Sequence, residues 1–307
     1  MGSPNSYNTT LLVSNVQSVG HIPLSNSTFT SPEIINLANR ELQTALISQI
    51  CSIREGYYLT YHDFVLNSTG RYTIPSQAIG AALDAVQIVI EPSILNVNRL
   101  EHAEQFSTIA PATTTYGYFI SGNTVNIMPN PTFGVVRLWF NRRPNALTAV
   151  SAASLITAIA GNVLTVSSLP STFLVGSNIN LCQDQPNFDV LTETTISAIA
   201  GTSVTLTDIS TDLAVGDWLC LADQTPVPQI PVEFRPLLEQ RVVVKIYELQ
   251  GYLDKMKAAG SMLERMEKDT FKLISPRVGT QTKIINPQNG GFTKVNTRNA
   301  SLYWSRQ

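Results

Sequence analysis

The chain has 307 residues, of which 43% are hydrophobic and only 14% charged, and its formal net charge is −2. It contains no apolar run of the roughly 18 residues that a membrane-spanning helix needs, and its polar start lacks the pattern of a secretory signal. The charged fraction lies below the roughly 25% of a typical soluble domain, which indicates that part of the surface contacts other proteins.

The first hundred residues predict an extended arm followed by helices. Residues 1–30 are rich in Ser, Asn and Thr and carry no Asp, Glu, Lys or Arg, which favours an extended arm. A helix is predicted to begin at Ser31 as its cap, followed by Pro32 and Glu33, and to end near Gly56.

A second helix is predicted over residues 76–90, because Ile79, Leu83, Val86 and Ile90 follow helical spacing. Pro92 would end it. Residues 100–106 fit one or two further helical turns.

Strand patterns come between and after these helices. Residues 57–66 are aromatic and β-prone, and residues 116–129 predict a β-hairpin with Gly122 and Asn123 in its turn. Residues 135–140 predict a further strand. We expect the segment 116–144 to be a β-ribbon attached to a helical domain.

An internal repeat follows. The sequence ITAIAGNVLTV at residues 156–166 recurs as ISAIAGTSVTL at residues 196–206. With an offset of 40, residues 156–186 align with residues 196–226 without a gap, and ten of the 31 positions are identical. Each copy reads as strand, glycine turn, strand, loop, Val-Gly turn and strand. The two copies are predicted to pair into a small pseudo-symmetric β-barrel or sandwich.

The last quarter of the chain is helical and then polar. Residues 231–274 carry a long apolar stripe that includes Leu249 and Leu253, and Gly251 and Gly260 are candidate break points. The predicted fold class is therefore α+β, with a helical-bundle core and an inserted duplicated β domain. Its expected parts are an arm (1–30), the first part of the core with the β-hairpin (31–146), the β domain (147–228), the second part of the core (229–275) and a basic tail (276–307).

Charge is segregated along the chain. Residues 1–230 hold 7 Arg, no Lys and 15 acidic residues, whereas residues 231–307 hold 13 basic and 7 acidic residues. The stretch 145–230 has seven acids and no basic residue, and no acid follows Asp269. The pattern fits two solvated faces of opposite sign. It also fits an assembly in which the basic C-terminal end of one subunit contacts the acidic domain of its neighbour.

Candidates for catalysis are few. His62 and Asp63 could form half of a triad, but no nucleophile motif completes it, and adjacent strand residues point to opposite faces. A packed or rim histidine is the favoured interpretation. Glu101, His102 and Glu104 have spacing seen in metal-binding helices. No matching pair is found elsewhere, so a solvated helix end is favoured.

The remaining candidate residues are also better explained by structural roles than by catalysis. Asp208 and Asp212 could be a glycosidase-like carboxylate pair, but a loop solvated by its acids is favoured. Cys51, Cys182 and Cys220 are far apart with no CxxC motif, which is typical of free thiols in a reducing compartment. Trp218, in the motif VGDW, is expected to pack in a strand-entry turn. We predict no enzyme activity, no metal and no cofactor.

The basic C-terminal end is the candidate partner-binding site. Its cations and aromatic residues could contact nucleic acid, but docking on an acidic protein partner also accounts for the acidic domain and is favoured. The candidate residues are Lys272, Arg277, Lys283, Lys294, Arg298, Tyr303, Trp304 and Arg306.

The order of motifs resembles a known family. The segments SPEIINLANRELQTAL, RYTIPSQAIGAAL, GNTVNIMPNP, RLWFNRRP, PVEFRPLLEQRVVVKI and SPRVGTQTKI resemble the head-to-tail adaptor (connector or neck) proteins of short-tailed bacteriophages over nearly the full chain. The doubled β domain departs from the minimal helical adaptors.

The resemblance implies a structural virion protein assembled in the host cytoplasm. It implies a twelve-subunit ring beneath the portal protein, which extends the channel for packaged DNA and gives tail or fibre proteins a docking platform. No membrane is implied. The alternatives are another phage tail or baseplate component, a β-domain carbohydrate-binding protein, and a hydrolase using Asp208, Asp212 or His62.

Overall fold

The computed structural model describes residues 7–23, 28–53, 56–100, 116–183 and 190–274. Across these ranges the protein is mixed α+β and combines helices, two four-stranded sheets and a six-stranded closed barrel. The predicted α+β class and the predicted small barrel are therefore confirmed. Within the same ranges, no helix combines the length and apolar character needed to cross a bilayer.

Helix α1 (Thr9–Val19) corrects the prediction for the N-terminal segment. Asn8 caps it by accepting a hydrogen bond from the backbone N–H of Leu11 at 3.1 Å. Leu12 and Val16 lie one turn apart and are fully buried in a hydrophobic cluster made mainly of helix residues, which we call the helical core; the predicted helical bundle is not shown by the described residues. The prediction of an extended arm is wrong here because tertiary packing of an apolar face, not local composition, stabilises a short helix.

The helix predicted from Ser31 onward is confirmed. It comprises α2 (Ser31–Glu41), a π-helical turn (Leu42–Leu46) and α3 (Ile47–Ile53). Its N-cap is Thr30, one residue before the predicted cap. The Glu33 carboxylate reaches back and accepts from the backbone N–H and the hydroxyl of Thr30, at 2.7 and 2.9 Å. These bonds fix the start of the helix.

The predicted second helix is wrong. Residues 79–81 form only a short 3₁₀ turn, in which Gly80 and Ala81 have φ of 64° and 52°. The rest of the segment is a strand in which Val86 and Ile88 are both buried, an alternation that a helix cannot provide. Its β-branched residues favour a strand between partners, and their chance spacing mimics a helical stripe.

Eight strands are described between α3 and residue 142. The strand predicted over residues 57–66, the hairpin turning at Gly122 and Asn123, and the strand over 135–140 are all confirmed. The strands are β1 (Leu59–Val65), β2 (Arg71–Thr73), β3 (Ala85–Ile90), β4 (Ser93–Asn96), β5 (Asn98–Arg99), β6 (Gly117–Ser121), β7 (Thr124–Met128) and β8 (Val135–Asn141).

These strands form two sheets, in the orders β1-β8-β3-β4 and β2-β7-β6-β5. Both sheets contribute to one hydrophobic cluster, in which Tyr72, Ile88, Val125 and Leu138 are almost completely buried. The expected β-ribbon on a helical domain is thus replaced by a two-sheet unit with its own core. We call it the two-sheet unit.

The repeat forms a closed barrel with the strand order β10-β11-β14-β13-β12-β15. The barrel strands are β10 (Ser154–Ala160), β11 (Val163–Val166), β12 (Asn178–Cys182), β13 (Val190–Ala200), β14 (Ser203–Leu206) and β15 (Trp218–Leu221). Two short strands flank the barrel in the chain, β9 (Ala146–Leu147) and β16 (Gln224–Thr225).

The barrel has a pseudo-twofold axis that follows the sequence repeat. Leu164 pairs with Val204, and Asn180 pairs with Cys220, so each of these positions lies opposite its own repeat equivalent. The register shifts at the same place in both copies, between Ile156 and Ala158 in β10 and at the equivalent pair in β13. The two copies are therefore equivalent in backbone as well as in sequence.

The chain enters and leaves the barrel side by side. β9 and β16 pair in parallel, Ala146 with Gln224 and Leu147 with Thr225. Asn39 of α2 fixes this junction, because its amide donates to the Leu147 carbonyl at 2.8 Å and accepts from the Leu147 N–H at 2.5 Å.

Two helices complete the described chain, α4 (Arg235–Gln250) and α5 (Leu253–Ile274). Gly251, with φ of 71°, ends α4 in the left-handed conformation that glycine adopts easily. Gly260 lies within α5 and does not break it. The fully buried Leu238 and Ile246 of α4 share one hydrophobic cluster with residues of α1 and α2.

Candidate functional site

His62 and Asp63 are held apart by the sheet, as the sequence predicts. The His62 ring packs edge-on against Phe64, with ring centroids 4.5 Å apart. The Asp63 carboxylate makes two hydrogen bonds of 2.7 Å with the guanidinium of Arg137 on β8. Since Asp63 is engaged there, it does not orient His62, and the pair forms no catalytic dyad.

Asp208 and Asp212 are exposed and belong to a loop of the barrel. Asp208 accepts a hydrogen bond from the neighbouring backbone N–H of Ile209 at 2.8 Å. The Val-Gly turn that follows is also structural. Asp217 accepts from the N–H of Ala214 at 2.7 Å, as Ser177 accepts from Leu174 in the other copy at 3.2 Å. These side chains cap turns. Trp218 is buried, in a cluster with Ala153, Cys182, Cys220 and Val227 that is separate from the hydrophobic core of the barrel.

The three cysteines are free thiols, as predicted. Cys182 and Cys220 are buried, whereas Cys51 is half-buried. Burial raises the pKa of the Cys220 thiol well above its ordinary value, and its hydrogen bond with Cys182 acts in the same direction. The Cys220 thiol is therefore a weak nucleophile. Among the described residues, no group of three His, Cys, Asp or Glu side chains is arranged to hold a metal ion.

Most of the predicted partner-binding residues lie outside the described ranges. Lys272 is the exception. It lies on the exposed side of α5, with its Nζ 3.9 Å from an Asp269 carboxylate oxygen. The other seven, and also Glu101, His102 and Glu104, are beyond the part of the chain that the structure describes.

The turn between α4 and α5 is the most apolar exposed point of the helical part. Leu249, Tyr252 and Leu253 are 64%, 51% and 63% exposed. We call these three residues the hairpin tip. Leu249 and Leu253 belong to the predicted apolar stripe, but both flank the chain reversal at Gly251 and are exposed there.

Helix α5 is amphipathic but only partly covered. Its side chains Met256, Leu263 and Met266 pack against the helical core, yet only Ala259 is classed as buried. On the adjoining flank Met262 is 54% exposed. Its exposed residues include five cations, Lys255, Lys257, Arg265, Lys268 and Lys272, and three acids, Asp254, Glu264 and Asp269.

A buried ion network fixes α5 to the rest of the helical core. The Arg241 guanidinium of α4 contacts the carboxylate of Glu267 on α5 and lies 3.6 Å from the carboxylate of Glu41 on α2. Gln49 of α3 donates to Glu267 at 3.4 Å. One arginine therefore connects three helices.

The N-terminal segment is tied to α4 by a second polar cluster. The Tyr7 hydroxyl and the Asn15 amide donate to one Glu239 carboxylate oxygen at 2.6 and 2.7 Å. The Arg235 guanidinium lies 4.7 Å from the centroid of the Tyr7 ring. Both ends of the described chain thus meet on α4.

Because of this cluster, the folding stability of the protein is expected to fall at alkaline pH. Burial, and then the hydrogen bond to the Glu239 carboxylate, raise the pKa of Tyr7 far above its ordinary value near 10. The stabilisation is present below that ordinary value and falls as pH rises above it, because only the unfolded chain then loses the proton. We expect Tyr7→Phe to flatten the loss of stability between about pH 9.5 and 11, measured by urea unfolding.

Tyr252→Phe is the matched control, since Tyr252 is half exposed at the hairpin tip. It should leave the alkaline slope unchanged. An unchanged slope in the Tyr7 variant would contradict the assignment.

Comparison with known proteins gives no relative for this chain. No protein family model matches it, and no curated protein matches it with significant similarity.

Proposed function

We propose that this chain is a structural virion protein, a head-to-tail adaptor that forms a ring between the portal and the tail of a short-tailed phage. The observation that carries the proposal is the exposed apolar surface of the last helical hairpin. Leu249, Tyr252 and Leu253 project where nothing in the described part of the chain covers them. Apolar groups exposed together in this way are typical of surfaces that bind protein.

The helices would act as a bundle core that holds this surface rigidly. Leu237, Leu238 and Val242 of α4 are fully buried, and Arg241 ties α5 to two other helices. A rigid support reduces the entropy that association must overcome. This supports a scaffold in which the hairpin tip contacts the portal and the two β units project from the core.

The charges support contacts between neighbouring copies of the chain. Exposed Asp208, Asp212 and Asp223 belong to a segment without any basic residue, whereas the exposed residues of α5 comprise five cations and three acids, an excess of positive charge. In a ring, the basic helix and tail of one subunit would meet the acidic barrel of the next.

The carbohydrate-binding alternative has little support in the barrel. Phe173 and Trp218 are 3% and 6% exposed, so neither ring is open for stacking on a sugar. Phe188, the third aromatic residue considered for this role, lies outside the described residues.

The test is co-expression with the portal protein of the same genome, followed by negative-stain electron microscopy. We expect twelve-fold rings with an added layer of density. Leu253→Asp should abolish the added layer, because it places a charge in the apolar contact. Deletion of residues 277–307 should leave a folded protein that no longer joins the ring.

Leu174→Asp is the control, since Leu174 is 63% exposed on a barrel loop far along the chain from the hairpin. This variant should still join the ring. A bare portal ring with the wild-type chain left in solution would refute the adaptor proposal.

A further inference from the structure

The outer face of the sheet β1-β8-β3-β4 carries side chains in rows that run across the strands, and three of these rows cross at least three strands. Strand pairing places Val65 beside Val135, Val135 beside Val89, and Val89 beside Ile94, which gives an aliphatic row. The next row toward the other end of the sheet consists of Asp63, Arg137, Gln87 and Asn96. The third row consists of Tyr61, Trp139 and Ala85.

The two ends of the aliphatic row are open to solvent, whereas its central members Val135 and Val89 are half-buried. Val65 is 86% exposed and Ile94 is 55% exposed, and the nearby Phe133, two residues before β8, is 56% exposed. A sheet with one face on a core normally presents polar residues on its other face. Apolar residues in two of three rows therefore indicate a surface that is covered in an assembly.

The polar row is neutral and held in place. Asp63 and Arg137 neutralise each other through two hydrogen bonds of 2.7 Å. The Arg137 guanidinium also lies 3.9 Å from the centroid of the Tyr61 ring. The Trp139 indole N–H donates to Gln87 at 2.8 Å, and the Gln87 amide donates to Asn96 at 2.9 Å. A partner for this row must therefore be neutral and able to hydrogen-bond.

The three rows are complementary to themselves about a two-fold axis that runs parallel to the strands, between β8 and β3. This operation places β1 of one copy opposite β4 of the other, and β8 opposite β3. Val65 then faces Ile94 of the other copy. Asp63 and Arg137 face amides, Asn96 and Gln87 respectively. The large Trp139 faces the small Ala85.

We propose that this sheet face docks a second copy of the chain, face to face, about that two-fold axis. Like rows meet, so no charge opposes a like charge and no buried polar side chain lacks a partner. Two sheets packed in this way keep their strands within about 30° of each other, and the neutral rows tolerate that angle.

The size of the face sets the strength of the contact. The four strands have seven, seven, six and four residues of about 3.3 Å and are spaced about 4.8 Å apart, so the face presents about 380 Å² per copy. A stable complex buries about 800 Å² per partner. We therefore expect a weak dimer that forms only at high protein concentration.

This pairing is independent of the proposed function. A two-fold contact uses the same patch on both copies, whereas a cyclic ring joins two different patches. Pairing of the free protein and binding to the portal can therefore fail separately.

The test is sedimentation velocity of the full chain over a range of about 5–500 μM, where the expected dimer forms. We expect a shift from monomer to dimer. Val65→Asp and Ile94→Lys should each weaken the dimer at least tenfold. The double variant V65D/I94K should recover most of it, because the new carboxylate at position 65 then faces the new ammonium group at position 94 of the other copy.

Recovery in the double variant cannot come from a contact within one chain, since β1 and β4 are three strand spacings, about 14 Å, apart. Val215→Asp, at a 55% exposed barrel position, is the control and should pair normally. A chain that remains monomeric at the highest concentration overturns the proposal. Single variants that pair like the wild type also overturn it, as does a double variant no better than the singles.

Discussion

Replacing Arg241 with leucine is expected to lower the free energy of unfolding by about 3–5 kcal/mol. The side chains of Arg241 and Glu41 are 12% and 11% exposed, and that of Glu267 is 21% exposed. Removing the guanidinium leaves two largely desolvated carboxylates near each other without their cation. A charge buried in this way costs far more than the lost attraction alone. The measurement is urea unfolding followed by circular dichroism.

The matched control is Lys245→Ala, which removes a surface ion pair on the same helix. Lys245 and Glu248 are 37% and 52% exposed, so their 2.7 Å contact should contribute at most about 1 kcal/mol. If Arg241→Leu and Lys245→Ala destabilise the protein equally, the network does not have the role assigned to it.

The second large effect concerns the barrel core. Ile156→Ala and Ile196→Ala are each expected to cost about 2–4 kcal/mol, because both side chains are almost completely buried. The two costs should agree closely, since the residues are repeat equivalents in matching surroundings. The Ile156 carbonyl accepts from Gly216 at 3.0 Å, and the Ile196 carbonyl accepts from Gly176 at 2.8 Å.

Thermal unfolding of both variants would measure the two losses of stability. Hydrogen exchange of the barrel amides would show whether these losses arise in the barrel. Val163→Ala is the control, because Val163 is 37% exposed in the same barrel and should cost well under about 2 kcal/mol. A difference of more than about 1.5 kcal/mol between the two isoleucine variants would contradict the equivalence of the two copies.

Local patterns predicted those elements whose signals agree with their surroundings. The helix at Ser31 has a cap, a proline and an acidic first turn, and these act within a few residues. The turn at Gly122 and Asn123 is likewise a local preference. The loop role of Asp208 and the opposed directions of His62 and Asp63 also follow from local geometry.

Other features depend on partners far along the chain. Helix α1 exists because Leu12 and Val16 pack beside residues of α4 more than 200 positions later. The strand at Val86 and Ile88 is stabilised by pairing with β8 and β4, although its spacing resembles a helix. Exposure of Leu249 and Leu253 could not be inferred either, because an apolar stripe does not indicate where the covering element ends.

The amino-acid sequence alone predicted a duplicated β domain, because 31 residues recur without a gap at an offset of 40 and so form two equivalent units. It also determined the α+β class and the segregation of charge. The sequence did not show which apolar residues remain uncovered, that Arg241 joins three helices, or that Val65 and Ile94 are the exposed ends of one aliphatic row across a sheet. The physical reason is that burial, ion pairing and strand register are set by contacts between distant segments, which periodicity along the chain does not encode.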